Sequence, residues 1–190
     1  STLLAAGAPF PPAAVAPYAP VAPGVWFGID PEAGGATVAA TLRAATVALP
    51  NAGMARVARL SANPTFPLVE KPRWVTLESA VDVGALATAR ELVVDLVACL
   101  EIGSDNRAEI PPHVTATLRI ERHDGTTEDF VDYRVPVSSM PMEHRVHVPP
   151  AQLAAMAPAE AAAATLIFVL PLFGVYTFHL DYLSVTAVTD

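Results

Sequence analysis

The chain has 190 residues, enough for one domain with a substantial core, and a formal net charge of −8 at pH 7. Lys71 is its only lysine, and no two of its arginines are adjacent. This distribution disfavours nucleic acid as a partner, because phosphate binding requires clustered basic side chains. The single cysteine, Cys99, cannot form a disulfide within the chain and is predicted to be a small buried hydrophobic side chain.

Residues 5–24 form an arm rich in alanine and proline. Proline lacks a backbone donor and favours extended polyproline geometry, so the arm is predicted to stay out of a central sheet. We assign residues 1–23 to an arm or linker and residues 24–190 to the folded domain. Phe10 and Tyr18 are predicted to dock the arm on a neighbouring subunit, giving a homo-oligomer or larger assembly. The alternative is a semi-rigid linker.

From Gly24 onward, short runs rich in β-branched and aromatic residues are separated by turn residues. This pattern predicts an all-β antiparallel sandwich of the jelly-roll type. The segment around residues 36–48 is rich in alanine and would also permit a helix. The predicted strands are Val25–Ile29, Thr37–Leu49, Ala55–Leu60, Trp74–Val83, Glu91–Ile102, His113–Arg122, Phe130–Val137, His144–Val148, Thr165–Leu170 and Tyr176–Val188.

Two-residue alternation identifies the inward face of several strands. It is clearest on either side of Asp124 and Gly125, which predict a tight hairpin because both residues can take a positive φ. We predict a core between the sheets that includes Val75, Leu77, Val94, Leu96, Leu118, Ile120, Val135, Ile167, Val169 and Leu183.

The segment near residues 150–163 contains helix formers and begins with proline, which predicts a short helix crossing between the sheets. The following stretch, residues 164–188, has nearly the apolar length of a membrane helix. Pro171 and Gly174 interrupt it, and they suit a turn better than a helix interior. The stretch therefore predicts two buried strands and no membrane span.

Sequence motifs of catalysis are lacking. The sequence contains no G-x-S-x-G elbow, Walker loop or G-x-G-x-x-G turn. His144 and His147 would point to opposite faces of a strand and make a poor metal pair. Glu128, Asp129 and Asp132 lie beside a predicted hairpin turn, where carboxylates normally face water, although two carboxylates at a suitable separation could catalyse glycoside hydrolysis. We predict that the chain is not an enzyme and binds no metal through these residues.

Trp26 and Trp74 are candidate ligand-binding residues. A tryptophan exposed on a strand offers a flat face for stacking on a sugar ring. Glu78 and Asp82 alternate with Trp74 and could hydrogen-bond to sugar hydroxyls. The alternative is that either tryptophan covers the edge of the core or packs under the arm.

The closing segment Tyr176–Val188 contains an apolar residue, an aspartate and a Val-Ser-Val-like alternation, carried by Leu180, Asp181, Leu183, Ser184 and Val185. This pattern resembles the last strand of jelly-roll carbohydrate-binding modules and galactose-binding-like domains. The resemblance implies a non-catalytic module that binds glycans, often with a structural calcium ion. Asp30 and Glu32 are the only acidic residues near the first predicted strand and do not make a clear calcium loop, so no cofactor is assigned, although a structural calcium ion stays possible.

These observations predict a polysaccharide-binding module that acts outside the cell or on a particle surface, although a cytoplasmic location stays open. The first residues lack the basic segment and apolar core of a signal peptide. The alternative function is a structural spike, fibre or decoration subunit docked through residues 5–24. It is favoured by an apolar content of 53% with only 16% charged residues, because such a composition leaves apolar surface to be covered.

Overall fold

The computed structural model describes residues 3–32, 34–49, 51–68, 70–103, 113–172 and 174–189. These residues form two six-stranded antiparallel sheets. The strands are β1 (Phe10–Ala14), β2 (Pro20–Ala22), β3 (Val25–Ile29), β4 (Thr37–Leu49), β5 (Gly53–Thr65), β6 (Val75–Val81), β7 (Glu91–Ile102), β8 (His113–Arg122), β9 (Thr127–Pro136), β10 (Met142–Val148), β11 (Ala161–Val169) and β12 (Tyr176–Val188). The helices are α1 (Val83–Thr88), α2 (Pro150–Ala155) and two short 3-10 helices (Leu3–Ala6 and Pro158–Glu160).

Strand order defines a jelly roll. Sheet A has the order β1-β4-β5-β12-β7-β10, and sheet B has the order β2-β3-β6-β11-β8-β9. From β5 to β12 the chain crosses between the sheets at every connection except the β8–β9 hairpin. The predicted all-β sandwich is therefore confirmed. The two final strands are separate, as Pro171 and Gly174 predicted, and no described helix has the length and apolar character needed to cross a membrane.

The core lies between the two sheets and is built by strands that alternate inward and outward residues. Of the ten predicted core residues, eight belong to this buried cluster, including Leu77, Leu96 and Leu118. Alternation predicts these positions because successive side chains of a strand point to opposite faces of the sheet. Cys99 is also buried, as predicted.

Ile167 is buried, as predicted, but outside the cluster between the sheets, and the prediction is wrong for Val169, which is half-buried. On β11, Leu166 and Phe168 belong to the core between the sheets, whereas Ile167 and Val169 line the outer face of sheet B. This strand is apolar on both faces, so alternation of polarity cannot identify its inward side. The outward apolar pair becomes part of the candidate site described below.

The arm packs on its own domain. β1 pairs with β4 at one edge of sheet A, and β2 pairs with β3 at one edge of sheet B. Leu4 is only 1% exposed within the core, and Phe10 packs against the same cluster. The arm's prolines are compatible with pairing because an edge strand needs hydrogen bonds on one side only.

Helical segments differ from the prediction at their ends. The predicted helix near residues 150–163 is shorter, because α2 ends at Ala155 and β11 already begins at Ala161. Helix α1 follows β6 directly and was not predicted. At the β8–β9 hairpin, Gly125 takes a φ of 82°, whereas Asp124 has no positive φ and accepts a hydrogen bond from the Thr126 amide at 2.9 Å.

Asp181 has a structural contact that accounts for its place in the closing-strand pattern. Its carboxylate is fully buried and accepts hydrogen bonds from Arg59 at 2.6 and 2.9 Å. The pairing of β12 with β7 is irregular between Leu180 and Tyr182, on either side of this residue. A buried carboxylate requires such a partner, since an isolated charge is costly away from water. The Arg59–Asp181 pair therefore joins β5 to β12 within sheet A.

Candidate functional site

A groove of about 280 Å³ lies on the outer face of sheet B. Outward-facing residues of β6, β8 and β11 contribute to its surface, because these strands are neighbours in the sheet. Apolar Ile167 and Val169 come from the central strand β11. Around them are aromatic and hydrogen-bonding side chains from distant parts of the sequence: Tyr18, Trp74, Thr76, Glu78, Arg119 and Asp129.

Trp74 lies in the groove directly before β6 and is held by Arg73. The guanidinium carbon of Arg73 lies 4.9 Å from the centroid of the indole ring, a cation–π distance. The same guanidinium pairs with Asp30 (Nε–Oδ2 3.1 Å) and Glu32 (Nη2–Oε2 2.8 Å). Arg73 thus covers one face of the indole, and Trp74 is half-buried where it lines the groove.

Asp30 and Glu32 do not fit a calcium site. The Asp30 carboxylate accepts hydrogen bonds from the backbone amides of Arg73 and Glu32 as well as from the Arg73 side chain. Arg73 already supplies the positive charge that a cation would bring, and its N–H groups donate hydrogen bonds to the carboxylate oxygens that would otherwise be ligands. Across the described residues, no three histidine, cysteine or carboxylate side chains are grouped suitably for a metal ion.

The Asp30–Arg73 pair predicts a specific acid sensitivity. The pKa of Asp30 is lowered to about 2, chiefly because the Arg73 side chain donates hydrogen bonds to its carboxylate. Ionised Asp30 thus contributes stability that is fully present above the ordinary carboxyl pKa of about 4 and is lost as the pH falls through about 2. We expect urea-unfolding free energies to decline over this interval more steeply for the wild type than for Asp30→Asn.

The exposed Asp132 supplies the control, because Asp132→Asn removes a surface carboxylate elsewhere and should keep the wild-type profile. Coincident pH profiles for wild type and Asp30→Asn would show that the pair contributes nothing to acid stability.

Glu78 is fixed by donors on both sides. Its Oε2 accepts a hydrogen bond from Trp26 Nε1 at 2.9 Å, and its Oε1 accepts one from Thr76 Oγ1 at 2.7 Å. Trp26 is half-buried beside the groove and is not part of its lining. Trp26 therefore orients the carboxylate, whereas Trp74 is the tryptophan that meets the groove.

Gly28 permits the arm to reach this carboxylate. A Cβ atom at position 28 would lie 2.6 Å from Glu78 Oε1 and 3.3 Å from Tyr18 Cε1, and it would clash with Thr76 Oγ1. Glycine is therefore needed where the three side chains converge. Tyr18 is 52% exposed and adopts a φ of 61°, and its backbone N–H donates to the Phe27 carbonyl at 2.7 Å. The arm thus places an aromatic ring in the groove.

Arg119 and Asp129 form the polar side of the groove on β8 and β9. They are direct partners across the hairpin and make a bidentate pair, with Nε–Oδ1 at 2.7 Å and Nη2–Oδ2 at 2.9 Å. These hydrogen bonds raise the pKa of Arg119, which stays charged. A guanidinium has five N–H donors, so others are left for ligand oxygens.

The structure does not bring Asp82 to the groove. Asp82 is the N-cap of α1, and its Oδ1 accepts hydrogen bonds from Gly84 N at 2.8 Å and Ala85 N at 3.1 Å. At about 3.3 Å per strand residue, it lies roughly 26 Å along the chain from Trp74. Of the predicted ligand residues, Trp74 and Glu78 line the groove.

Tyr18, predicted for docking, lines the same groove, while Phe10 contacts the core of its own chain. Sequence reasoning missed Arg119 and Asp129 as site residues. The Asp-Gly turn could have predicted their pairing, because counting outward along both strands from that turn places Arg119 opposite Asp129.

The fold is that of jelly-roll carbohydrate-binding modules. A family 11 module from Clostridium thermocellum, solved with a β-1,3-1,4-mixed-linked tetrasaccharide, has a TM-score of 0.52 at 10% identity, covering 94% of this chain and 97% of its own. A family 4 module has 0.51 at 11% identity, covering 86% and 87%. The family 22 xylan-binding domain from Paenibacillus barcinonensis Xyn10C has 0.50 at 10% identity, covering 97% of each chain.

These identities support similarity of fold only. No protein-family model matches the sequence, and no curated protein matches it either.

Proposed function

We propose that this chain is a non-catalytic module that binds polysaccharide along the groove of sheet B. The carrying observation is the convergence of Tyr18 and Trp74 with the fixed carboxylate of Glu78 in one groove. Sugar rings present apolar faces to aromatic side chains, and their hydroxyls bind to carboxylates and guanidinium groups. The similarity of the fold to carbohydrate-binding modules supports the same assignment.

The electrostatics of the groove favour a neutral polysaccharide. Arg119 is neutralised by Asp129, and Arg73 is neutralised by Asp30 and Glu32. Glu78 adds a negative charge to a chain whose net charge is already −8. A polymer of uronic acids would be repelled by this field, whereas neutral sugars interact with it only through hydrogen bonds.

We expect affinity gel electrophoresis to show retardation by a neutral polysaccharide and none by polygalacturonate. The neutral panel is xylan and mixed-linked β-1,3-1,4-glucan, because one protein of similar fold is a xylan-binding domain and another was solved with a mixed-linked tetrasaccharide. Because no charge is neutralised, the dissociation constant should change less than about twofold between low and high salt. Mobility unaffected by every polysaccharide would overturn the proposal, and salt-sensitive binding to polygalacturonate would overturn the neutral ligand.

The arm is part of this binding domain in our proposal. Phe10, which was predicted to dock on a neighbouring subunit, packs with Leu4 on the core of its own chain. This packing supports the binding module over the alternative function as a docked structural subunit. Self-association and a location outside the cell stay predictions.

A further inference from the structure

A second groove, of about 240 Å³, lies on the outer face of sheet A. It is formed by β7, β10 and β12 together with the turn of the β4–β5 hairpin. Tyr182, which is half-buried, supplies an aromatic side chain. Arg145 and Asp95 supply a bidentate ion pair, with Nε–Oδ1 at 2.6 Å and Nη2–Oδ2 at 3.2 Å.

The two grooves contain the same three kinds of group. Each has an aromatic side chain, a bidentate arginine–aspartate pair that bridges neighbouring strands, and a glutamate oriented by a hydrogen-bond donor. In the second groove the glutamate is Glu143, and Asn51 Nδ2 donates to its Oε2 at 2.6 Å. Asn51 belongs to the turn that follows β4, so the hairpin contributes one wall of the groove.

Strand register brings these groups into two adjacent rows. Tyr182, Val97 and Glu143 are partners across β12, β7 and β10, and Asp95 and Arg145 are partners two residues along, in the next row of the same face. Neighbouring strands are about 4.8 Å apart, so each row extends roughly 10 Å across three strands. That width suits a sugar residue, which could stack on the tyrosine while its hydroxyls meet the glutamate and arginine. Arg145 is accessible, with 71% of its side chain exposed.

We infer that the second groove is an additional binding site for neutral polysaccharide, independent of the groove on sheet B. The two grooves lie on the outer faces of opposed sheets and point away from each other, so a short oligosaccharide cannot fill both. Each chain of this protein would then bind two polysaccharide segments and crosslink soluble polymers. The inference uses the same ligand chemistry as the proposed function, but its residues are separate.

Isothermal titration calorimetry with xylohexaose and with a mixed-linked β-glucan hexaose tests this inference. The wild type is expected to bind two hexaoses per chain, and Arg145→Ala and Tyr182→Ala are expected to bind one. Arg145→Ala is the safer variant for folding because its side chain is largely exposed. Tyr133→Ala, which removes an exposed tyrosine outside both grooves, should still bind two. The wild type should also raise the viscosity of the soluble polymer, and both second-groove variants should lose this effect.

The outcomes separate the two sites. One hexaose per chain, unchanged by Arg145→Ala and lost in Trp74→Ala, would overturn the second site and leave the proposed function intact. One hexaose lost in Arg145→Ala and kept in Trp74→Ala would support the second site and overturn the groove on sheet B. No binding of either hexaose would overturn both.

Discussion

Replacing Tyr18 and Trp74 together by alanine is expected to weaken binding of polysaccharide at the sheet B groove by about 30-fold or more. Loss of a large apolar contact costs roughly 1–3 kcal/mol for each side chain, and about 1.4 kcal/mol corresponds to a factor of ten. Both rings reach the groove, Tyr18 from the arm and Trp74 from the position directly before β6. Titration of the variant with the hexaose that binds the wild type, analysed for the affected site, measures the effect.

The matched control is Tyr133→Ala, because Tyr133 is 38% exposed and does not line the groove. Trp74→Phe should retain much of the affinity, since it keeps an aromatic ring. Trp26→Phe removes the hydrogen-bond donor to Glu78 and keeps both aromatic rings of the groove. Its affinity therefore measures the contribution of the oriented carboxylate apart from that of stacking. A folded double variant with wild-type affinity at both sites would exclude these two rings as the binding surface.

Much of the fold could be predicted from the sequence because, in a strand with one polar face, the alternation of polar and apolar residues shows which side chains point toward the core. On β8, Leu118 and Ile120 face the core while Arg119 faces out, as their alternation predicts. The same rule fails on β11, where both faces are apolar. Ile167 is buried, but it lies under the groove on the outer face of sheet B. An apolar side chain on such a strand therefore does not show which of the two faces points toward the core.

The candidate site was harder to predict because its members are joined by the order of strands across the sheet. Glu78 and Arg119 belong to β6 and β8, which become close only because β11 pairs with both. No local sequence pattern shows that β11 lies between β6 and β8 in the sheet. Asp82 shows the opposite error, in which alternation was continued past the end of a strand. An aspartate followed by Val-Gly-Ala-Leu-Ala is instead a helix N-cap, and that local signal was present in the sequence.

Deletion of residues 1–23 is expected to destabilise the sandwich as well as to impair binding. Burial of Leu4 alone accounts for an expected loss of about 2–5 kcal/mol, the usual range for removing a leucine from a core. Loss of β1 and β2 also uncovers the edges of β4 and β3, and uncovered edges favour aggregation. Urea denaturation of the truncated and full-length chains measures the first effect, and size-exclusion chromatography measures the second.

Leu4→Ala in the full chain separates stability from binding, because it enlarges a core cavity and leaves Tyr18 in place. We expect this variant to unfold at lower urea concentration yet to bind like the wild type under conditions where it is folded. The truncated chain should lose affinity even when it is folded, since the Tyr18 ring is gone from the groove.

The loss of stability on deletion of the arm, measured at several protein concentrations, shows whether the arm packs within its own chain or on a neighbouring subunit. An arm that packs within its own chain stabilises each molecule equally at every concentration, so the loss on deletion should be constant. An arm that docks on a neighbouring subunit stabilises by mass action, so the loss should grow as the concentration rises. Unfolding midpoints measured over a hundredfold range of concentration distinguish these cases. Because Leu4 is buried with Ala22 and Leu42 of the same chain, we expect the full-length midpoint to be constant.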